Sequence, residues 1–506
     1  MNTVYINLNI PKGKVEEKIF GHFCEHAFGN IYGGFYEPES EFSDELGFRK
    51  DVIEALKEVK PPVMRYPGGN FVSNYHWEDG IGPKESRKRV FEYAWLTEES
   101  NQFGTADFIE LCRRIGTEPL FCVNMGSGTV EEAMHWVEYC NGTGNTWYAN
   151  LRRSHGYEEP FNVKYWGLGN EPYGAWQMNH YDAESYAEKA FQFAKAIKWV
   201  DPTVKLVAGG YEQKTDWGYT VSAKLWQMAD YVSAHHYACV WGPFKPENYL
   251  ETMCIADYME KLNKLVYASI LTGVNNTTNI KIAWDEWNMF GWALKGVDED
   301  ASYTLQNALV TALILNMFIR NSDTIGMANY STFVNITGAL SVTEKGVLRR
   351  AQFPVFELLR GQTGSILYQA DVAGEEFQAE MPQSNKLGRE KASIDLLDLN
   401  EGCDEKQHKA AYVDATVTGD ENGFVYVSMV NKHPEKEQET DLRFYIDGRQ
   451  LQAAEGYEIY AEKLDACNTP ERPDEVRIKS IPLPEVKNNT CKITLKKHSI
   501  TVYKFK

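Results

Sequence analysis

The sequence predicts an α/β protein: a (β/α)8 TIM barrel followed by a jelly-roll-like β-sandwich that takes in the N-terminal strand. Three observations carry that reading. Val4, Ile6, Leu8 and Ile10 alternate with Tyr5, Asn7 and Asn9, the period of a half-buried strand. From about Ile19, short apolar runs alternate with longer amphipathic stretches, as expected when crossover helices join parallel strands. After about Leu359 the helical signal fades into short alternating segments, a sandwich signature.

The first strand must pair with something, and assigning it to the C-terminal sheet makes residues 1–15 part of the sandwich. The barrel is expected over residues 16–362, with strands at 20–25, 62–66, 119–124, 163–168, 205–209, 231–236, 280–285 and 324–330. Thr129-Val130-Glu131-Glu132 reads as a capping box, and Asp182 as the N-cap of a long helix over 183–200. The apolar run 308–319 is too short to span a bilayer and reads as a buried helix. A doubly wound sheet would advertise a glycine-rich dinucleotide turn, and neither G-x-G-x-x-G nor a Walker loop occurs. The sandwich is expected over 363–506, with strands at 423–429, 442–446, 476–481 and 492–505 and a solvated loop at 395–407.

Composition limits the function classes. At 506 residues the chain holds roughly three domain equivalents, which a barrel with one appendage satisfies. Its 43% hydrophobic and 24% charged content excludes a disordered or collagen-like chain. A formal net charge of −19 removes the usual electrostatic drive toward nucleic acid or anionic membranes, leaving a neutral substrate as the simpler expectation. Nine cysteines are scattered and never spaced C-x-x-C, so neither a disulfide framework nor a thiolate zinc site is indicated. The N-terminal residues show no basic region followed by a continuous apolar stretch, so the expected compartment is the cytoplasm and sequons such as Asn141-Gly142-Thr143 carry little weight.

In a barrel the active site forms where strands end at their C-terminal side. The fourth expected strand runs into Asn170-Glu171 and the seventh into Asp285-Glu286. Acid–base cleavage of an acetal needs such a pair, one carboxyl to protonate the leaving oxygen and one carboxylate to attack the anomeric carbon. A single Glu beyond a strand end is usually a solvated loop residue; two facing one bowl are harder to read that way. Trp166, Tyr173, Trp176, Trp284 and Trp287 stand nearby and are expected to line a sugar site and to raise the pKa of the acid.

Several segments together resemble the α-L-arabinofuranosidases of glycoside hydrolase family 51. They are Gly33-Gly34-Phe35-Tyr36-Glu37-Pro38, Arg65-Tyr66-Pro67-Gly68-Gly69-Asn70-Phe71, Tyr75-His76-Trp77-Glu78-Asp79-Gly80, Asn101-Gln102-Phe103-Gly104-Thr105, Gly169-Asn170-Glu171 and Asp285-Glu286-Trp287-Asn288. The resemblance spans essentially the whole chain. It implies a retaining, exo-acting hydrolase that needs no cofactor and no metal and acts on a neutral arabinose-containing oligosaccharide, with Glu171 as acid/base and Glu286 as nucleophile. It also implies substrate contacts at Glu25, Asn70, Trp95, Asn170 and Tyr237, and a homo-oligomer, a hexamer.

Asn170 suits a ring hydroxyl beside the reacting carbon, Tyr237 a hydrogen bond to the nucleophile, and Arg65 either the ionisation of Glu286 or a structural barrel salt bridge. Two departures stand out. Residues 348–352 do not align with the stretch that carries a sugar-contacting Gln in relatives, and Met289-Phe290-Gly291-Trp292 differs near the bowl rim. The rival readings are a β-xylosidase or endo-glucanase with the same carboxylate pair, a non-catalytic sugar-binding protein, and a metal-dependent barrel hydrolase. His22, His26, His76, His235 and His236 invite the last of these, but His22 and His26 stand four apart on one strand and are expected to be structural or rim residues.

Overall fold

The computed structural model describes residues 2–239, 248–290, 303–379 and 408–506; the expected loop at 395–407 and the rim residues Gly291 and Trp292 lie outside them. Among the described residues, eight parallel strands close a barrel in chain order: Gly21–Phe23, Val63–Tyr66, Glu118–Val123, Tyr165–Leu168, Lys205–Ala208, Tyr231–Cys239, Lys281–Phe290 and Ile325–Tyr330. The eighth strand pairs with the first through Asn329 and Gly21. Val63, Leu120, Tyr165, Val207, Ala283 and Met327, from six different strands, meet in one buried cluster that fills the barrel interior. That packed plug sends any ligand to the C-terminal mouth.

Two strands run further than expected. The sixth continues to Cys239 and the seventh to Phe290, so Tyr237 and Glu286 lie within strands instead of beyond their ends. The cause is continued burial on both faces: Ala283 through Met289 are all buried. Pairing between these strands slips between Ala283 and Glu286, and the irregularity re-aims the following side chains at the mouth.

The first strand, Asn2–Lys14, lies between Ile366–Ala373, antiparallel, and Gln438–Tyr445, parallel, inside a nine-stranded sheet. Five strand steps separate Gln438–Tyr445 from Ser499–Phe505 in that sheet, roughly 24 Å if it were flat. Yet the rings of Phe444 and Phe505 are 4.9 Å apart. The sheet therefore folds over on itself as a sandwich, around Val4, Ile6, Val417, Val427, Leu442 and Ile493. The segment expected as one strand at 492–505 is two, Thr490–Leu495 and Ser499–Phe505, split by a turn.

Asp182 caps its helix as expected, accepting from the Ser185 amide at 2.8 Å. Thr129 accepts from the Glu132 amide at 3.1 Å, but Glu132 turns away to His76 at 3.0 Å, so the capping box is only half made. The apolar helix Leu305–Arg320 is buried nearly all round because it is wedged between barrel and sandwich. Among the described residues no helix is long and apolar enough to cross a membrane. On its sandwich side Asn316 donates to Asp414 at 2.9 Å and accepts from Ser428 at 3.0 Å, while Arg320 pairs with Asp414 at 2.8 Å. Replacing Asn316 by Ala leaves Ser428 without its acceptor in a dry interface, at a cost of about 1–3 kcal/mol. A lower urea midpoint with an unchanged turnover rate per folded molecule is the expected result.

Candidate active site

The second, fourth, sixth and seventh strands contribute to one buried cluster at the barrel mouth. Arg65, on the second strand and 1% exposed, lies at its centre. Its guanidinium donates to Glu286 Oε1 at 2.6 Å and to Asn170 Oδ1 at 2.7 Å, and approaches Asp285 Oδ2 at 3.5 Å. A buried cation needs such partners, and the nearby Asp285 and Glu286 outweigh the effect of burial and keep its pKa raised. The other oxygen of Glu286 accepts from Tyr237 Oη at 2.7 Å, and that hydroxyl also meets Ser331 Oγ at 2.7 Å.

Glu171 follows the fourth strand, in a sharp turn. Gly169 has φ +78° and Glu171 itself φ +39°, a left-handed backbone that a side-chain-bearing residue rarely takes and that is commonly held at functional sites. His235 Nδ1 lies 3.0 Å from Glu171 Oε1, and the Trp176 indole donates to Oε2 at 2.7 Å. Donor atoms of Glu171, His235 and Glu286 all lie within 4.8 Å of one another, so two carboxylates far apart in sequence face each other across one bowl.

The expectation that neighbouring aromatics raise the pKa of Glu171 is not met. Burial does push its carboxyl up, but the hydrogen bond and charge of His235, with the Trp176 indole, outweigh it and hold the group below its ordinary value. Burial likewise opposes charge on His235, yet Glu286 and Asp285 keep its imidazolium favoured well above the usual range. Three of the five aromatics named from sequence sit in the core. Trp166 packs on Phe121 and Trp136, Trp284 donates to Asn263, and Trp287 packs on Tyr330 and Phe318. Tyr173 and the exposed Trp176 are the two that reach Glu171.

The opposite wall comes from the segments that follow the first and second strands and from the hairpin over 90–99. Glu25 Oε1 accepts from the Phe71 amide at 2.9 Å and from the Trp95 indole at 3.0 Å, which pins the hairpin bearing Trp95 over the bowl. Burial, reinforced by Glu286, pushes the Glu25 carboxyl up to about 8. Asn70 opens the turn after the second strand, beside Gly69. A Cβ on Gly69 would lie 2.9 Å from Glu286 Oε1 and 3.3 Å from Asn170 Nδ2, so the floor of the bowl requires glycine. Asn170 Nδ2 is buried without a hydrogen-bond partner. A donor left open inside an otherwise paired cluster is what a bound hydroxyl would satisfy.

All eight residues singled out from sequence thus reach one region; of the five histidines His235 joins them, against Glu171 and Glu286, and the others diverge. His22 bonds the Gly21 carbonyl and stacks on Phe333; His26 lies between Tyr66 and Glu99; His236 is buried beside Tyr258. In the Glu171–His235–Glu286 group, Glu286 is held by Arg65 and Tyr237, and Glu171 by His235 and Trp176. His235, Asp285 and Trp176 were not assigned these roles beforehand. Their contacts cross between strands, and the one sequence cue was their adjacency to the marked residues. Glu212, after the fifth strand, is a further buried carboxyl, raised by burial to about 7.

A family described as "Alpha-L-arabinofuranosidase 1 domain" matches residues 55–249, and one described as "Alpha-L-arabinofuranosidase C-terminal domain" matches 285–499. The chain is 39% identical over 478 residues to a probable α-L-arabinofuranosidase C of Aspergillus niger, covering 90% of this chain and 88% of that one. It is 36% identical over 350 residues to an intracellular exo-α-(1→5)-L-arabinofuranosidase 1 of Bacillus subtilis, covering 66% and 70%. The crystal structure of the Thermotoga maritima α-L-arabinofuranosidase in complex with arabinose superposes with a TM-score of 0.87 at 34% identity, covering 100% of this chain and 99% of that one. With both family models matched and relatives aligned over most of its length, the chain belongs to the α-L-arabinofuranosidases of glycoside hydrolase family 51.

Proposed function

We propose that the enzyme releases a terminal arabinofuranose from arabino-oligosaccharides by double displacement, with Glu286 as nucleophile and Glu171 as acid/base. The observation that carries this is the separation of the two carboxylates, with oxygens within 4.8 Å. Retaining enzymes hold the pair about 5–5.5 Å apart, whereas inverting ones need roughly 6.5–9.5 Å to admit water between them.

In the first step a Glu286 oxygen attacks the anomeric carbon while the bond to the leaving oxygen breaks, and that oxygen takes a proton from Glu171. Arg65 and Tyr237 fix the attacking carboxylate. His235 Nδ1 lies 3.0 Å from Glu171 Oε1, so the proton that Glu171 delivers can reach it along this contact and return to His235 once Glu171 has taken the proton of water. In the second step Glu171 takes a proton from water, whose oxygen attacks the same carbon and frees Glu286. Asn170 Nδ2 donates to the hydroxyl beside the reacting carbon, a bond that strengthens as positive charge grows on the ring. Glu25, Asn70 and Trp95 close the far side, which supports gripping a single terminal ring. The name of the Bacillus relative supports a cytoplasmic setting and the α-(1→5) linkage; the hexamer implied by the resemblance is read by sedimentation velocity.

Glu286→Ala and Glu171→Ala each lower kcat by about 10²–10⁴-fold or more. Azide restores turnover of an aryl arabinofuranoside with a good leaving group to the Glu171 variant and yields the azido sugar of retained configuration, whereas azide standing in for Glu286 in its variant would yield the inverted one. Wild-type-like turnover in either variant would refute the roles. Arg65→Lys keeps the charge but cannot bridge two partners, and kcat/KM falls by about 10²-fold as the nucleophile loses its alignment.

Glu25 and Glu212, raised to about 8 and about 7 from 4.5, bind protons in the folded state that the unfolded chain has already released. Their contribution to stability is full below pH 4.5 and is lost as pH rises through 7 and 8. Urea midpoints measured between pH 5 and 8 therefore fall less steeply for Glu25→Gln and for Glu212→Gln than for the wild type; parallel slopes would contradict it.

A further inference from the structure

Gln177 sits six residues beyond Glu171, on the loop after the fourth strand, yet its side chain reaches the turn after the second. It is 6% exposed there. Its Oε1 accepts from Ser73 Oγ at 2.6 Å, and its Nε2 donates to Asn70 Oδ1. The donors thus run in one direction, from the Ser73 hydroxyl to the Gln177 carbonyl and from the Gln177 amide to the Asn70 carbonyl. With its carbonyl engaged, Asn70 has its NH2 left to offer. Its neighbours fix where that group stands: Gly69 lies against Glu286 and Asn170, and the Phe71 amide is bonded to Glu25 at 2.9 Å.

We infer that Gln177 is a positioning residue that orients the Asn70 amide, so that Asn70 meets a sugar hydroxyl as a donor. The inference rests on the reading of Asn70 as a sugar contact. A carboxamide is required at this position because one end must accept and the other donate; a glutamate would offer acceptors alone and would force Asn70 to turn its NH2 away from the ring. Trp176, the preceding residue, donates to Glu171 at 2.7 Å. One short loop therefore holds the acid/base with one side chain and a recognition group with the next, so grip on the ring and placement of the proton donor are set by the same backbone.

The test measures the inhibition constant of L-arabinose, with kcat and KM for 4-nitrophenyl α-L-arabinofuranoside, in the wild type, Q177A, Q177M, N70A and the double variant Q177A/N70A. Q177A is expected to weaken arabinose binding and raise KM by about tenfold, the scale of one ordered hydrogen bond, with the pH profile of kcat unmoved. Q177M, which fills the same volume without hydrogen bonding, gives the same loss. In the N70A background Q177A adds nothing, because the two substitutions remove one interaction. An equal loss in both backgrounds would mean a structural role and overturn the inference. So would a fall in kcat with a displaced pH profile, which would show Gln177 acting through Trp176 and Glu171. Wild-type arabinose affinity in N70A would overturn the reading of Asn70 itself, and this inference with it.

Discussion

The buried guanidinium of Arg65 is the interaction on which the rest of the site depends. It is a full charge with almost no access to water, and it is tolerable there only because Glu286, Asp285 and Asn170 surround it. Those same partners are the groups that must converge for an acetal to be cleaved. The ion cluster that satisfies the arginine is thus also the arrangement that aligns a nucleophile, and a second cation, His235, bridges it to Glu171 and Asp285. Each of the three carboxylates lies within 3.5 Å of at least one of the two cations.

Backbone geometry sets how closely the cluster can assemble. Gly69 is present because a methyl group there would collide with Glu286, and Gly68, at φ +154°, because a Cβ would sit 2.4 Å from Glu25 Cγ. Glu171 takes a left-handed conformation of its own at φ +39°, and the seventh strand slips register just before Glu286. These departures from ideal barrel geometry coincide with residues that face the bowl. The packed interior below them supplies the rigidity that makes such strain sustainable.

The two walls of the bowl differ in character. The side formed by the fourth, sixth and seventh strands is charged and cross-linked. The side formed by Glu25, Asn70 and Trp95 comes from turns and a hairpin, tied down by hydrogen bonds from Phe71, Trp95 and Gln177. The nucleophile Glu286 and its partner Arg65 sit on strands, and Glu171 on the tight turn that follows one. Recognition sits on connecting segments, which can vary in shape without disturbing the barrel.

Alone, the sequence determined the eight strands, their order, the return of the N-terminal strand to the C-terminal sheet, and the facing pair Glu171 and Glu286; Glu25, Asn70, Trp95 and Tyr237 came to the mouth through the family resemblance. Hydrophobic periodicity and chain order are local properties, and a barrel converts them directly into position. What it did not decide is who touches whom. That Trp166, Trp284 and Trp287 point into the core while Trp176 meets Glu171, that Glu171 is held as an anion by His235 and not raised by aromatics, and that Gln177 reaches Asn70, all depend on side chains from separate strands meeting at distances near 3 Å. Hydrogen bonds and ion pairs act over that range in three dimensions, and nothing in the spacing along the chain encodes it.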